Sequence, residues 1–226
     1  MKIGKIIFFL ILGLTLLAVS ATDGLAYPVN EGDWLIFRRV GTFGGAEGGG
    51  EFSVHDGKTN AKLFESFCIE RDEYITLGTK YLVGSITTNA VEGGKNPTPS
   101  PDPLDPKTAY LYYKFSINSL KGYVHDNQHA NALQEVIWYI EGEYYPDAHI
   151  LSPIAQAFYD DALDNAGNSL WGVRALNMYS GYNAQGIPTG FVQDQLVYQH
   201  TPEPATFFLV GAGLLGLGAK FRRRKK

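Results

Sequence analysis

Asp105-Pro106-Lys107-Thr108-Ala109-Tyr110-Leu111-Tyr112-Tyr113 is the stretch at which the chain turns from strands to helices. Asp105 is a good helix cap, and Pro106 suits the first helical position because an N–H there would have no partner within the helix. Tyr110, Tyr113, Ile117 and Leu120 follow at helical spacing, which predicts a first helix with that stripe turned inward. Immediately upstream, residues 92–106 hold five prolines and two glycines and read as a linker. Before it, Asp33–Val40, Glu51–Val54, Lys62–Ile69 and Tyr74–Ile86 have the aromatic and β-branched content of strands. The glycine-rich run 41–50 lacks the Gly-Lys-Ser/Thr ending of a phosphate loop and opens no apolar helix, so it reads as a flexible hairpin connection. Downstream, a second helix is expected from Asp126 or Asn127 to about Glu141, with Leu133, Val136, Ile137 and Ile140 inward and Gly142 as its stop. A third has Ser152 as cap, Pro153 in its first turn, Ile154, Ala157, Phe158 and Ala162 inward, and Gly167 as terminator. Val173–Tyr179 and Phe191–Tyr198 then return to strands around a turn region at 181–190. The order strands, helices, strands defines an α+β chain.

The two ends read as addresses. Lys2 and Lys5, apolar Ile6–Val19 and small Val19-Ser20-Ala21 have the layout of a secretory signal peptide, with Gly24-Leu25-Ala26 as a second cleavage candidate. At the other end Pro202, Glu203 and Pro204 precede apolar Phe207–Ala219 and the basic cluster Arg222, Arg223, Arg224, Lys225 and Lys226. Such a cluster resists translocation and stays on the cytoplasmic side of a membrane. The apolar run is shorter than the roughly 20 residues of a comfortable spanning helix, and its four glycines make it a weak anchor. A temporary tether fits better than a permanent one. These features divide the chain into a signal peptide at 1–26, an exported domain at 27–200 and a sorting signal at 201–226.

This ending resembles the PEP-CTERM sorting signal, in which a Pro-Glu-Pro motif precedes a short membrane segment and a basic tail. The resemblance implies a membrane protease-transpeptidase of the exosortase type as a partner, cutting near Pro202–Pro204. It also implies transient anchoring, followed by display at the cell surface or in the extracellular matrix.

Between the signals the chain is strongly acidic. Tyr27–Pro204 carries 11 Lys and Arg against 22 Asp and Glu, a formal charge of −11. Such a surface repels phosphate backbones, which argues against a nucleic-acid partner. Cys68 is the single cysteine, so it forms no internal disulfide, and an odd thiol outside the cell needs an explanation. The plain reading is a buried cysteine serving as a small apolar residue. The alternatives are intermolecular pairing or a covalent use of the sulfur.

Cys68 and Gln134 form the leading chemical pair. Phe67-Cys68-Ile69-Glu70 is an aromatic-Cys-apolar-polar run on an expected strand, and Leu133-Gln134-Glu135-Val136-Ile137 is an apolar-Gln-polar-apolar-apolar run on an expected helix. If that strand packs on that helix, the sulfur can attack the side-chain amide, expel ammonia and leave an internal thioester. The two runs resemble the signature of bacterial surface thioester domains, with Leu133 where many members carry threonine. The resemblance implies a β-barrel or sandwich-like core with an inserted helical segment, Cys68 as thiol, Gln134 as acyl group, and Phe67 and Trp138 as shields against water. On this reading the protein is an adhesive device and not a turnover enzyme. Its acceptors would be exopolysaccharide or surface protein amines. The alternative is a non-covalent matrix or carbohydrate-binding module.

Weaker constellations remain. His125 and His129 precede Gln134 and can act as a general base, or simply as surface histidines at a helix start. Glu70, Asp72, Glu73, Glu141 and Glu143 are carboxylates of the kind a glycosidase uses, though sequence cannot set them opposite one another. Asp160, Asp161 and Asp164 fall on an expected helix and lack a calcium-loop pattern. No metal and no cofactor are expected.

Overall fold

The computed structural model describes residues 28–41, 46–91, 101–144 and 147–199, all within one compact unit, 27–199. The expected signal helix, C-terminal membrane helix, Pro-Glu-Pro motif and basic tail lie outside the described residues. Among the described residues no helix is long and apolar enough to cross a membrane.

Eight strands, three α-helices and a single 3-10 turn at Ala46–Gly48 are formed among the described residues. The strands are β1 (Trp34–Arg39), β2 (Phe52–Asp56), β3 (Lys62–Ser66), β4 (Lys80–Thr87), β5 (Asn89–Ala90), β6 (Asp102–Pro103), β7 (Val173–Tyr182) and β8 (Pro188–Tyr198). The helices are α1 (Pro106–Ser116), α2 (Asn127–Ile140) and α3 (Pro153–Asn165). Six strands form one antiparallel sheet in the order β3-β2-β1-β4-β7-β8, and β5 and β6 pair separately. The α+β class and the strand-helix-strand order therefore hold.

The barrel or sandwich does not. The sheet is open, because its edge strands β3 and β8 share no ladder. Closing a sheet needs continuous pairing of its edges in a fixed stagger. Here β3 lasts only five residues, and its continuation makes a single isolated bridge, Cys68 to Gln195. The helical segment is inserted between β6 and β7, and α1 packs against β7 and β8.

Each helix starts where its cap directs. Asp105 accepts from the Lys107 N–H, Asp126 from the His129 N–H and Ser152 from the Ala155 N–H, which satisfies donors that have no partner inside the helix. The inward stripe of α1 differs from expectation. The helix stops at Ser116, Ile117 is exposed, and the buried face is Thr108, Ala109, Tyr110, Leu111, Tyr112 and Phe115. Packing against both α3 and the sheet buries more than one narrow stripe. On α3, Ala155 replaces the expected Ala157 on the buried side.

Two apolar cores result. One lies between helices and sheet, with Phe67, Ile69, Leu111, Phe115, Leu133, Val136, Ile137, Phe158 and Leu196. The other is built on the sheet strands together with Trp138 of α2, and holds Leu35, Phe37, Val54, Cys68, Val83, Trp138, Leu176, Met178 and Val197. Strand alternation explains the division, since Phe67 and Ile69 enter the first core and Cys68 the second.

Candidate thioester site

The site forms where the chain leaves β3 and runs beside β8. Ser66 Oγ donates to the Leu196 carbonyl at 2.7 Å, the Leu196 N–H donates to the Phe67 carbonyl at 3.0 Å, and the Ile69 N–H donates to the Asp194 carbonyl at 3.1 Å. Glu70 continues the seam. Its carbonyl accepts from Gln193 Nε2 at 2.8 Å, and its Oε2 accepts from the Asp194 N–H at 2.9 Å. These bonds fix the backbone on both sides of Cys68.

Gln134 reaches the same point from α2, 66 residues further along the chain. Both side chains are fully buried. Gln134 Oε1 lies 3.1 Å from Cys68 Sγ and accepts from the peptide N–H groups of Gly50 at 2.9 Å and Cys68 at 3.2 Å. Gln134 Nε2 donates to the Cys68 carbonyl at 2.9 Å. The carboxamide cannot turn over, because a flip would set N–H against N–H at one end and carbonyl against carbonyl at the other.

Burial pushes the Cys68 thiol up. The nearby carboxylates Glu70 and Glu143 add to that effect, and a hydrogen bond from the Gly50 backbone opposes it. The sulfur is therefore a neutral thiol at physiological pH. Its chemistry has to come from proximity and from polarisation of the amide, not from a standing thiolate.

Glycines let the β1–β2 connection close over the pair. A side chain on Gly49 would place its Cβ 2.7 Å from Gln134 Cγ and 2.9 Å from the Trp138 ring, and one on Gly50 would meet the Ser66 carbonyl at 2.8 Å. Gln134 and Trp138 are one helical turn apart on α2, so Gly49 lies against both. Further out, Glu47 pairs with Arg71 at 2.7 Å. Arg71 sits 4.7 Å above the Tyr144 ring, and Tyr144 stacks on His149 at 3.7 Å. His149 in turn bonds Glu135, the neighbour of Gln134, at 2.9 Å.

Sequence reading did not single out Gly49 and Gly50. The glycine-rich composition of the run predicts a flexible connection, whereas its last two members serve close backbone approach.

The weaker candidates have other engagements. His129 Nδ1 is 2.8 Å from its helix cap Asp126, and His125 Nδ1 is 3.1 Å from Glu51. Glu141 accepts from the Asp105 N–H, and Glu143 from the Arg71 N–H at 3.0 Å. Asp160, Asp161 and Asp164 lie on α3, as expected. Among the described residues, Glu51, Glu65 and His125 bring ligand atoms within 4.8 Å of one another, a grouping the sequence reading did not make. Tyr123 and His125 bond Glu51, and Lys62 pairs with Glu65.

Comparison with known proteins bears mainly on the C-terminus. A family model for the PEP-CTERM protein-sorting motif matches residues 200–224. The chain thus carries the signal of an exported protein that is processed by exosortase, a membrane transpeptidase, after transient anchoring. No curated protein matches the chain. Among solved structures, it is similar to the N-terminal thioester domain of fibronectin-binding protein SfbI from Streptococcus pyogenes. That similarity has 15% identity and a TM-score of 0.44, over 81% of this chain and 98% of the other. Likeness at that level leaves the chemistry to the distances within the site.

Proposed function

We propose that the exported domain closes an internal thioester between Cys68 and Gln134 and uses it to attach covalently to a nucleophile on a neighbouring surface. The observation that carries this reading is the seating of the buried Gln134 carboxamide on Cys68, with Oε1 3.1 Å from Sγ and the amide held by the Gly50 and Cys68 backbones at 2.9 to 3.2 Å. A buried glutamine needs partners for its amide, but those partners need not include the single cysteine of the chain. The chemistry balances without a cofactor. Cys68 Sγ bonds Gln134 Cδ, the Cδ–Nε2 bond breaks, and the thiol proton leaves with the nitrogen as ammonia. Later a hydroxyl or amine attacks Cδ, takes the acyl group, and returns its proton to the sulfur.

Burial of both groups supports slow hydrolysis, so the acyl group can be stored until an acceptor is brought close. The acceptor class we favour is an exopolysaccharide hydroxyl or a surface protein amine. The protein acts once per molecule, as an adhesive and not as a turnover enzyme.

Intact-mass measurement of the secreted protein tests the proposal. The wild type should be lighter than its sequence mass by one ammonia, and Cys68→Ala should show its full sequence mass. Methylamine should add to the wild type and free the thiol. An unmodified wild-type mass, together with a thiol that alkylates readily after denaturation, would sink the covalent reading.

A further inference from the structure

We infer that the peptide N–H groups of Gly50 and Cys68 form an oxyanion site that catalyses closure of the bond and later activates its carbonyl. This rests on the thioester reading and deepens it. Both donors already point at Gln134 Oε1, at 2.9 and 3.2 Å, and they come from separate segments, the end of the β1–β2 connection and the run after β3. When Sγ adds to Cδ, the carbonyl pair moves onto Oε1, which becomes an oxyanion facing two fixed donors in a fully buried site. Preorganised donors of this kind strengthen as charge develops and need no reorganisation during the reaction. The thiol proton passes to Nε2, ammonia departs, and the Oε1 pair re-forms the carbonyl.

The division of labour follows from what surrounds the sulfur. A thiol held neutral by burial is a poor nucleophile, so the acceleration has to come from the electrophile. The Cys68 carbonyl holds Nε2 at 2.9 Å and keeps Oε1 turned toward the donors. Gly49 and Gly50 are required because a Cβ at either would displace the segment that brings the Gly50 N–H to Oε1. The glycine segment is thus both cover and catalyst. The same two donors remain on the thioester oxygen and polarise it toward an incoming amine.

The test replaces the Gly49–Gly50 amide by an ester in the full chain, which removes the Gly50 N–H and adds no bulk. Ammonia release is followed by intact mass after refolding, with near-ultraviolet circular dichroism recorded on the same samples. Closure and methylamine uptake should both slow by about 10²- to 10³-fold, the range for loss of one such donor. Closure at the wild-type rate would overturn the inference, whereas a wild type that never loses ammonia would instead reject the thioester itself. A second measurement needs no variant. With ¹³C-labelled glutamine, the thioester carbonyl band of the wild type, identified by difference from Cys68→Ala, should lie below that of a small thioester in apolar solvent. A band at the apolar-solvent position would also overturn the inference, even if the ester variant failed to fold.

Discussion

The helical layer and the seam beside β8 are held together on opposite terms. In the helices each structural instruction is local, with Asp105, Asp126 and Ser152 capping N–H groups two or three residues away. At the seam the partners are distant in sequence. Ser66 meets Leu196 across 130 residues, Gln193 meets Glu70 across 123, and Cys68 meets Gln134 across 66. A local bond specifies an element wherever that element docks, whereas a distant bond specifies the site and exists only after docking. Loss of a seam contact should therefore cost more than loss of a cap.

The sharpest way to break the contrast is Phe67→Ala. Phe67 is fully buried, stacks edge-on against Phe115 at 5.1 Å, and immediately precedes Cys68 in the chain. Chemical denaturation should show a loss of roughly 3–5 kcal/mol, as for other large-to-small changes at packed aromatic sites. The thioester should also hydrolyse faster. A loss below about 1 kcal/mol, the scale of a cap, would erase the distinction.

A change of pH probes how helix and neighbouring chain are joined. Burial raises the Glu141 carboxyl to about 8, while the hydrogen bond from the Asp105 N–H acts the other way. Its folded pKa lies above the unfolded value, so the unfolded chain binds fewer protons between about pH 4.5 and 8. Stability should fall as pH rises through that window and level off above it. Glu141→Gln keeps an acceptor for Asp105 and should flatten the fall, gaining on the order of 1–3 kcal/mol at pH 8 and little at pH 4.5. Denaturation midpoints across that range check the sign.

The smallest effect should come from the cap. Asp126→Ala leaves the His129 N–H without its acceptor and should cost about 1 kcal/mol, with thioester closure unchanged by intact mass. If closure failed as well, the start of α2 would be part of the seam's machinery, and the two regions would not be separable.

Legibility in the sequence followed the same line. All three caps and helix starts were readable, because propensity and periodicity act over a few residues. The strands were found with shifted ends. The expected strand at Tyr74–Ile86 begins only at Lys80, and β7 and β8 run longer than their patterns suggested, since pairing along Tyr179–Phe191 and Tyr182–Pro188 extends the hairpin past its apolar residues. The Cys68 and Gln134 motifs could be nominated as a pair. Their approach, the Gly50 donor and the fit of Gly49 against Trp138 could not, because no local pattern encodes a contact across tens of residues.

Sequence alone determined the C-terminal sorting address, the acidic balance and the local beginnings of the helices, all of which are written in short runs of charge, apolarity and capping chemistry. Tertiary structure alone decided that the sheet stays open and that one amide is pinned on one thiol beneath two glycines. Those outcomes depend on which faces bury one another, and that is settled only when strands and helices far apart in the chain exclude water together.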